Sequence, residues 1–164
     1  MQINSLKEPG KEWKDMVFIK LLKYKIKRLC MTNTVQFDCG RIQISDSSEF
    51  RLNVSNGSCI AKGTLTVSIG SKECFSGMSI QLEMEGYFGL EGIEDLESKK
   101  ETHMRCYDAI FPYADQIVKF LAMNSEMKMI ALRKSRMDGE KIHIKAVEEG
   151  SEVIEFAEKG EYGI

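Results

Sequence analysis

The apolar residues of this chain change period at a glycine-spaced run. Upstream, Phe50, Leu52 and Val54 alternate with polar or charged neighbours, as do Leu65, Val67 and Ile69 and then Ile80, Leu82 and Met84. A period of two places every apolar side chain on one face of a strand. The run Gly86-Tyr87-Phe88-Gly89-Leu90-Glu91-Gly92 follows. Beyond it Cys106, Ile110, Tyr113, Ile117, Phe120 and Leu121 recur at spacings of three and four, the period of a helix. Strands first and helix later favours an α+β fold, an antiparallel sheet with a long helix packed on it, over βαβ alternation.

The remaining segments are read the same way. Residues 1–15 form a polar lead-in with a turn signal at Glu8-Pro9-Gly10. Leu22, Tyr24 and Ile26 alternate with Lys23, Lys25 and Lys27, which favours a strand over 20–31; a basic amphipathic helix over 14–29 is the competing pattern. Val35 to Ile44 reads as an extended connection carrying Val35, Phe37, Ile42 and Ile44. Three or four antiparallel strands with one apolar face each therefore precede the glycine run. Gly86, Gly89 and Gly92 lack the Lys-Ser/Thr of a phosphate loop and suit a strand end that bends or packs closely. Pro112 must start or kink the helix that begins near His103, because it has no N–H and clashes with the preceding turn. After Asn124, Met127 to Leu132 reads as a short extended piece, Ile142 and Ile144 alternate, and 152–159 suits a short amphipathic terminal helix through Val153, Ile154 and Phe156.

Length and composition fit one soluble domain spanning 1–164: 164 residues, 43% hydrophobic, 29% charged, with a net charge of −2. That charge gives no drive toward nucleic acid. No apolar run approaches the ~18 residues of a membrane span, and the N-terminus lacks a signal-peptide apolar core. Five cysteines, an odd number without a Cys-x-x-Cys pair, suggest a reducing cytoplasm. Chemistry is hard to place. His103 and His143 are the only histidines, no acid, base and nucleophile can be named together, and no cysteine spacing suits zinc. The expectation is a non-enzyme with neither metal nor cofactor. Ten methionines, among them Met123, Met127 and Met129, suit surfaces that accept varied apolar partners, although most would fill core.

Two motifs in order carry a family resemblance. Gly86-Tyr87-Phe88 with Gly92, followed by Cys106 and then Phe111-Pro112-Tyr113-Ala114, is similar to the glycine and Cys-x-x-x-x-Phe-Pro-Tyr-Ala motifs of the SecB protein-export chaperones. The likeness is good over about 60–121 and loose over 20–58, and the C-terminal segment 126–164 diverges. The resemblance implies a four-stranded antiparallel sheet with one long helix, assembled as a homotetramer, a dimer of dimers. It implies an ATP-independent holdase that keeps client chains unfolded in apolar grooves and passes them to the SecA motor. Gly86, Phe88, Gly92, Cys106, Pro112 and Tyr113 are then structural motif residues. Glu83 and Glu85 keep acidic character on the strand where the family contacts its motor. Solitary members of the family instead protect an antitoxin in a toxin–antitoxin system.

Two client surfaces are expected: the connection with Val35, Phe37, Ile42 and Ile44, and the helix face with Phe111, Ile117, Phe120 and Leu121. Apolar grooves can bury a client's side chains while sheet edges pair its backbone. A small-ligand-binding α+β domain, with a pocket between sheet and helix, is the reading from a different class.

Overall fold

The computed structural model describes residues 18–34, 43–55, 58–71, 77–91, 96–124, 132–135, 139–148 and 150–163. Its elements in chain order are β1 (Phe18–Asn33), β2 (Gln43–Ser55), β3 (Ile60–Ser71), β4 (Met78–Glu91), α1 (Leu96–Met123), β5 (His143–Glu148) and β6 (Ser151–Gly163). The strands form a single antiparallel sheet in the order β1-β4-β3-β2-β6-β5. It has six strands rather than the four expected. The additional two are the hairpin β5–β6, which extends the sheet beyond β2.

This hairpin overturns the helix expected over 152–159. Glu, Ala and Lys in that stretch favour helix intrinsically. Ile154 and Phe156, however, stand two apart and are both buried, and they pair across to Leu52 and Phe50 of β2. Thirteen residues of ladder with β2 outweigh propensities of a few tenths of a kcal/mol per residue. The turn into β6 uses Gly150 at φ 81°, a left-handed conformation that glycine adopts without a Cβ clash.

One face of the sheet is core. Phe50 and Leu52 of β2, Leu65, Val67 and Ile69 of β3, and Ile80, Leu82, Met84 and Phe88 of β4 are all buried there. They pack against Cys106, Tyr107, Ile110, Ala114 and Val118 of α1. Each large side chain so buried contributes about 1.5–3 kcal/mol. The helix begins at Leu96, seven residues before the expected start at His103. Pro112 therefore lies inside it and does not start it. The ring is exposed, so the Asp108 carbonyl that loses its i+4 donor faces the wet side of the helix.

The glycine run continues β4 as far as Glu91. Gly86 has an ordinary φ; its role is close approach. A Cβ there would lie 3.0 Å from both Ile110 Cδ1 and Phe88 Cζ. Its cross-strand partner, Gly63, is tighter still, 2.8 Å from Phe50 Cζ and from Phe88 Cε2. Two aromatic rings fill the space that side chains at this pair would need.

Candidate functional site

The residues expected to bind clients separate into three environments. Ile44 is fully buried in the core. Val35, Phe37 and Ile42 lie outside the described residues, as does Gly92 of the structural motif. The four helix residues divide between the two flanks of α1. Phe111 turns toward the segment 132–135: its ring is 5.7 Å from that of Tyr107, and the Lys134 ammonium lies 5.9 Å from its centroid. Ile117 and Phe120 lie on the opposite flank with Tyr113, at i, i+4 and i+7, while Leu121 is half-buried against the core.

That second flank faces β1. The Tyr113 ring lies 4.5 Å from the Tyr24 ring, centroid to centroid, and this contact joins the helix to the edge strand. On the same side of the sheet β1 presents Ile26 and Leu29, 45% and 40% exposed, and α1 presents Phe120 at 66%. The result is a run of large apolar side chains along the β1 edge, open to solvent. Isolated exposed apolar residues need no explanation, but a contiguous group at a sheet edge marks an interaction surface. The alternation around Leu22, Tyr24 and Ile26 reported the strand; the exposure of its apolar face depends on where α1 stops covering the sheet.

The other face of the same edge is charged. Glu85 is buried, yet its carboxylate meets Lys62 at 2.9 Å, Lys27 at 3.0 Å and Lys25 at 3.3 Å. Burial pushes the Glu85 carboxyl up, and the three lysine hydrogen bonds overcome this and hold it down at about 2. The bond to Glu85 raises Lys27 in turn. Glu85 is thus enclosed by cations, whereas Glu83, opposite Arg28 in the ladder, is half-buried on the same face.

His103, at the centre of α1's buried side, is fixed to β2. Its Nε2–H donates to the Phe50 carbonyl at 2.8 Å; a carbonyl can only accept, so the proton is on Nε2. Nδ1 is buried with no partner among the described residues. Burial lowers the His103 pKa against the opposing effect of the Phe50 bond, so the ring is neutral. Cys106 is buried nearby, with its thiol pushed up by desolvation. Neither group reaches an open surface.

On the far flank the segment 132–135 is pinned to helix and sheet. Ser135 N–H donates to the Tyr107 hydroxyl at 2.9 Å, Arg133 Nε and Nη2 donate to Asp46 at 2.9 and 2.7 Å, and Lys134 pairs with Asp108 at 2.7 Å. Between this segment, β2 and β6 lies a polar cleft of about 180 Å³, lined by Asp46, Ser48, Val67, Arg133, Ser135 and Glu158. Among the described residues no group of three or more His, Cys, Asp or Glu side chains is placed to hold a metal ion. No helix among them is long and apolar enough to cross a membrane.

With this geometry in hand, the comparisons concern architecture. No protein-family model matches the sequence, and no curated protein matches it. Among solved structures the chain is similar to the Mycobacterium tuberculosis Rv1957 SecB-like chaperone in complex with a ChAD peptide from the Rv1956 HigA1 antitoxin. The TM-score is 0.53 at 12% sequence identity, covering 71% of this chain and 90% of that one. At that identity the likeness is one of fold: one helix on a large antiparallel sheet, as in a SecB-like chaperone.

Proposed function

We propose that this protein is an ATP-independent holdase that binds extended segments of unfolded or partly folded polypeptides, without enzymatic activity and without metal or cofactor. The observation that carries this reading is the open apolar surface at the β1 edge, with Tyr24, Ile26 and Leu29 on the strand and Tyr113 and Phe120 on the facing flank of α1. A client strand laid there would bury its own apolar side chains on this surface. Its backbone would meet the edge of β1 that has no strand partner among the described residues, by strand addition to the sheet. The SecB-like fold supports the same reading.

A dedicated client is the favoured form of this activity, because the similar chaperone was solved with an antitoxin peptide. Delivery of preproteins to SecA in the cytoplasm is a second form. It would rely on Glu83, since the Glu85 carboxylate is already engaged by three lysines. Assembly as a tetramer, a dimer of dimers, belongs to the proposal too; the exposed back of α1, with Pro112 and Met123, is available for it. A small-ligand site, the reading from a different class, would use a cleft such as the polar one beside Arg133 or the larger one of about 370 Å³ lined by Arg51, Asn53, Thr64 and Glu83.

The test is suppression of aggregation of a chemically unfolded model protein, followed by light scattering. We expect suppression near stoichiometric ratios by the wild type and loss of most of it in Ile26→Asp and Phe120→Asp. Both positions are exposed, so both variants should keep the wild-type thermal midpoint within a few degrees, as surface changes of about ±0.5 kcal/mol allow. Unaltered aggregation with the wild type present would overturn the holdase. The mass of the free protein in the same apparatus, against 18.7 kDa for one chain, reports the assembly.

A further inference from the structure

β1 does not alternate strictly, and the departure decides what the outer face of the sheet carries. Alternation would set Leu22 beside Tyr24 and Ile26 on the helix side. The ladder with β4 is irregular between Leu21 and Lys23, and again between Ile26 and Arg28. An extra residue in one strand sends two successive side chains to the same face. Leu22 therefore lies on the side away from α1, over Gly89, where a Cβ would sit 3.6 Å from Leu22 Cδ2. Ile60, the ladder partner of Gly89, and Phe18, opposite Glu91, share that side. Phe18 is 49%, Leu22 51% and Ile60 54% exposed. Three large apolar side chains thus stand half out of the outer face at one corner of the sheet.

The same face carries six cations: Lys20, Lys23, Lys25, Lys27 and Arg28 from β1, and Lys62 from β3. Among the described residues of β1, β3 and β4 the carboxylates there are Glu83, Glu85 and Glu91. Glu85 lies buried under Lys25, Lys27 and Lys62, three ammoniums to one carboxylate, so that cluster keeps a net positive charge. The whole chain carries −2. Its charge is therefore unevenly placed, with a cationic patch beside the exposed apolar corner.

That pairing selects a partner. An anionic lipid surface meets both features at once: its phosphates take the cations, and its acyl boundary takes the apolar side chains. Nucleic acid would satisfy the cations but would leave Leu22 and Ile60 uncovered, since neither offers a ring on which a base can stack. The Tyr87 ring on this face is capped by the Lys23 ammonium, 5.0 Å from its centroid.

We propose that the outer face at the β1 corner docks the protein peripherally on an anionic membrane surface, with Phe18, Leu22 and Ile60 entering the headgroup layer and Lys20, Lys23 and Arg28 meeting lipid phosphates. This face lies on the opposite side of the sheet from α1, so a client or a second copy on the helix side leaves it open. Two copies joined β1 to β1 in one antiparallel sheet would turn both outer faces the same way and present the patch twice. The proposal goes beyond the holdase reading and does not rest on it.

The experiment is flotation of the full chain with vesicles of phosphatidylcholine alone and of equal parts phosphatidylcholine and phosphatidylglycerol. The protein should float with the second only, and less as NaCl rises from about 50 to about 500 mM. Lys20→Gln with Arg28→Gln leaves the three lysines on Glu85 in place and should weaken partition about fivefold per charge removed. Leu22→Asp should abolish flotation, and Leu22→Ser, which adds no charge, should weaken it. Leu22 is half exposed, so both variants should keep the wild-type thermal midpoint within a few degrees. Equal flotation with both vesicles, flotation with neither, or wild-type partition of Leu22→Ser overturns the proposal. So does release from the vesicles by inorganic phosphate, a single-stranded oligonucleotide or polyglutamate at matched ionic strength, each of which would place the affinity in charge alone.

Discussion

At the scale of single residues, the two groups with the clearest electrostatic signature titrate in different windows. His103 is neutral in the fold because burial lowers its pKa from 6.5, and an unfolded chain binds the proton more readily. Its contribution is therefore present above about pH 6.5 and is lost as pH falls below that value, where the unfolded state gains a proton that the folded state refuses. Glu85 is depressed from 4.5 to about 2, so its contribution is present above pH 4.5 and is lost as pH falls toward 2. Urea midpoints measured from pH 7.5 to 3 should fall in two stages. His103→Gln should flatten the upper stage and leave the lower one, at a cost of about 1 kcal/mol at pH 7 from the lost ring contact with Phe50. An unchanged upper stage in that variant would assign it to another group. Neither role could be read from sequence: a lone histidine at a helix start and a glutamate alternating along a strand both look solvated until the opposing strand and the three lysines are in place.

At the scale of elements, the tightest constraint is the Gly63–Gly86 pair beneath Phe50 and Phe88. Gly63→Ala places a methyl within 3 Å of two buried rings, which have no solvent to move into. It should cost about 1–3 kcal/mol, the usual range for overpacking a filled core, visible as a lowered urea midpoint with unaltered slope. A cost within error would mean that the rings shift freely. Gly86 stood out in the sequence through its motif, but Gly63 carried no local signal. The strands β3 and β4 were legible because alternation is a property of neighbouring residues. The rotation of α1 was less so: spacing by three and four named the apolar residues correctly yet could not tell that Phe111 turns to one flank, Phe120 to the other and Ile110 to the core. That phase is set by the contacts of Tyr113 with Tyr24 and of Tyr107 with Ser135.

At the scale of the whole molecule, the sheet has two unlike ends. β5–β6 extends the sheet beyond β2 and makes β5 its second edge strand, with Ile154 and Phe156 completing the core around Phe50 and Leu52. Deleting 143–164 should cost more than about 3 kcal/mol, from the burial of those two side chains alone. It should also expose the β2 edge, so that the truncated chain aggregates at concentrations where the full chain stays monodisperse by light scattering. A truncated chain as stable as the full one would make the hairpin an accessory. At the other end β1 has no strand partner beyond it among the described residues; Tyr24, Ile26 and Leu29 stand on its helix side, and Phe18 and Leu22 share the opposite side with its lysines.

The sequence by itself determined the α+β class, the first four strands, the helix and the inward faces of β3 and β4, because periodicity is a local record of burial. It also contained the glycine and Phe-Pro-Tyr-Ala motifs that resemble SecB proteins. Only the tertiary structure decided that 152–159 is strand, that Ile44 is core, that Glu85 is enclosed and that the β1 edge is exposed. Each of those depends on a partner far away in the chain: β2 for the hairpin, Lys25, Lys27 and Lys62 for Glu85, and the reach of α1 across the sheet for the open apolar edge.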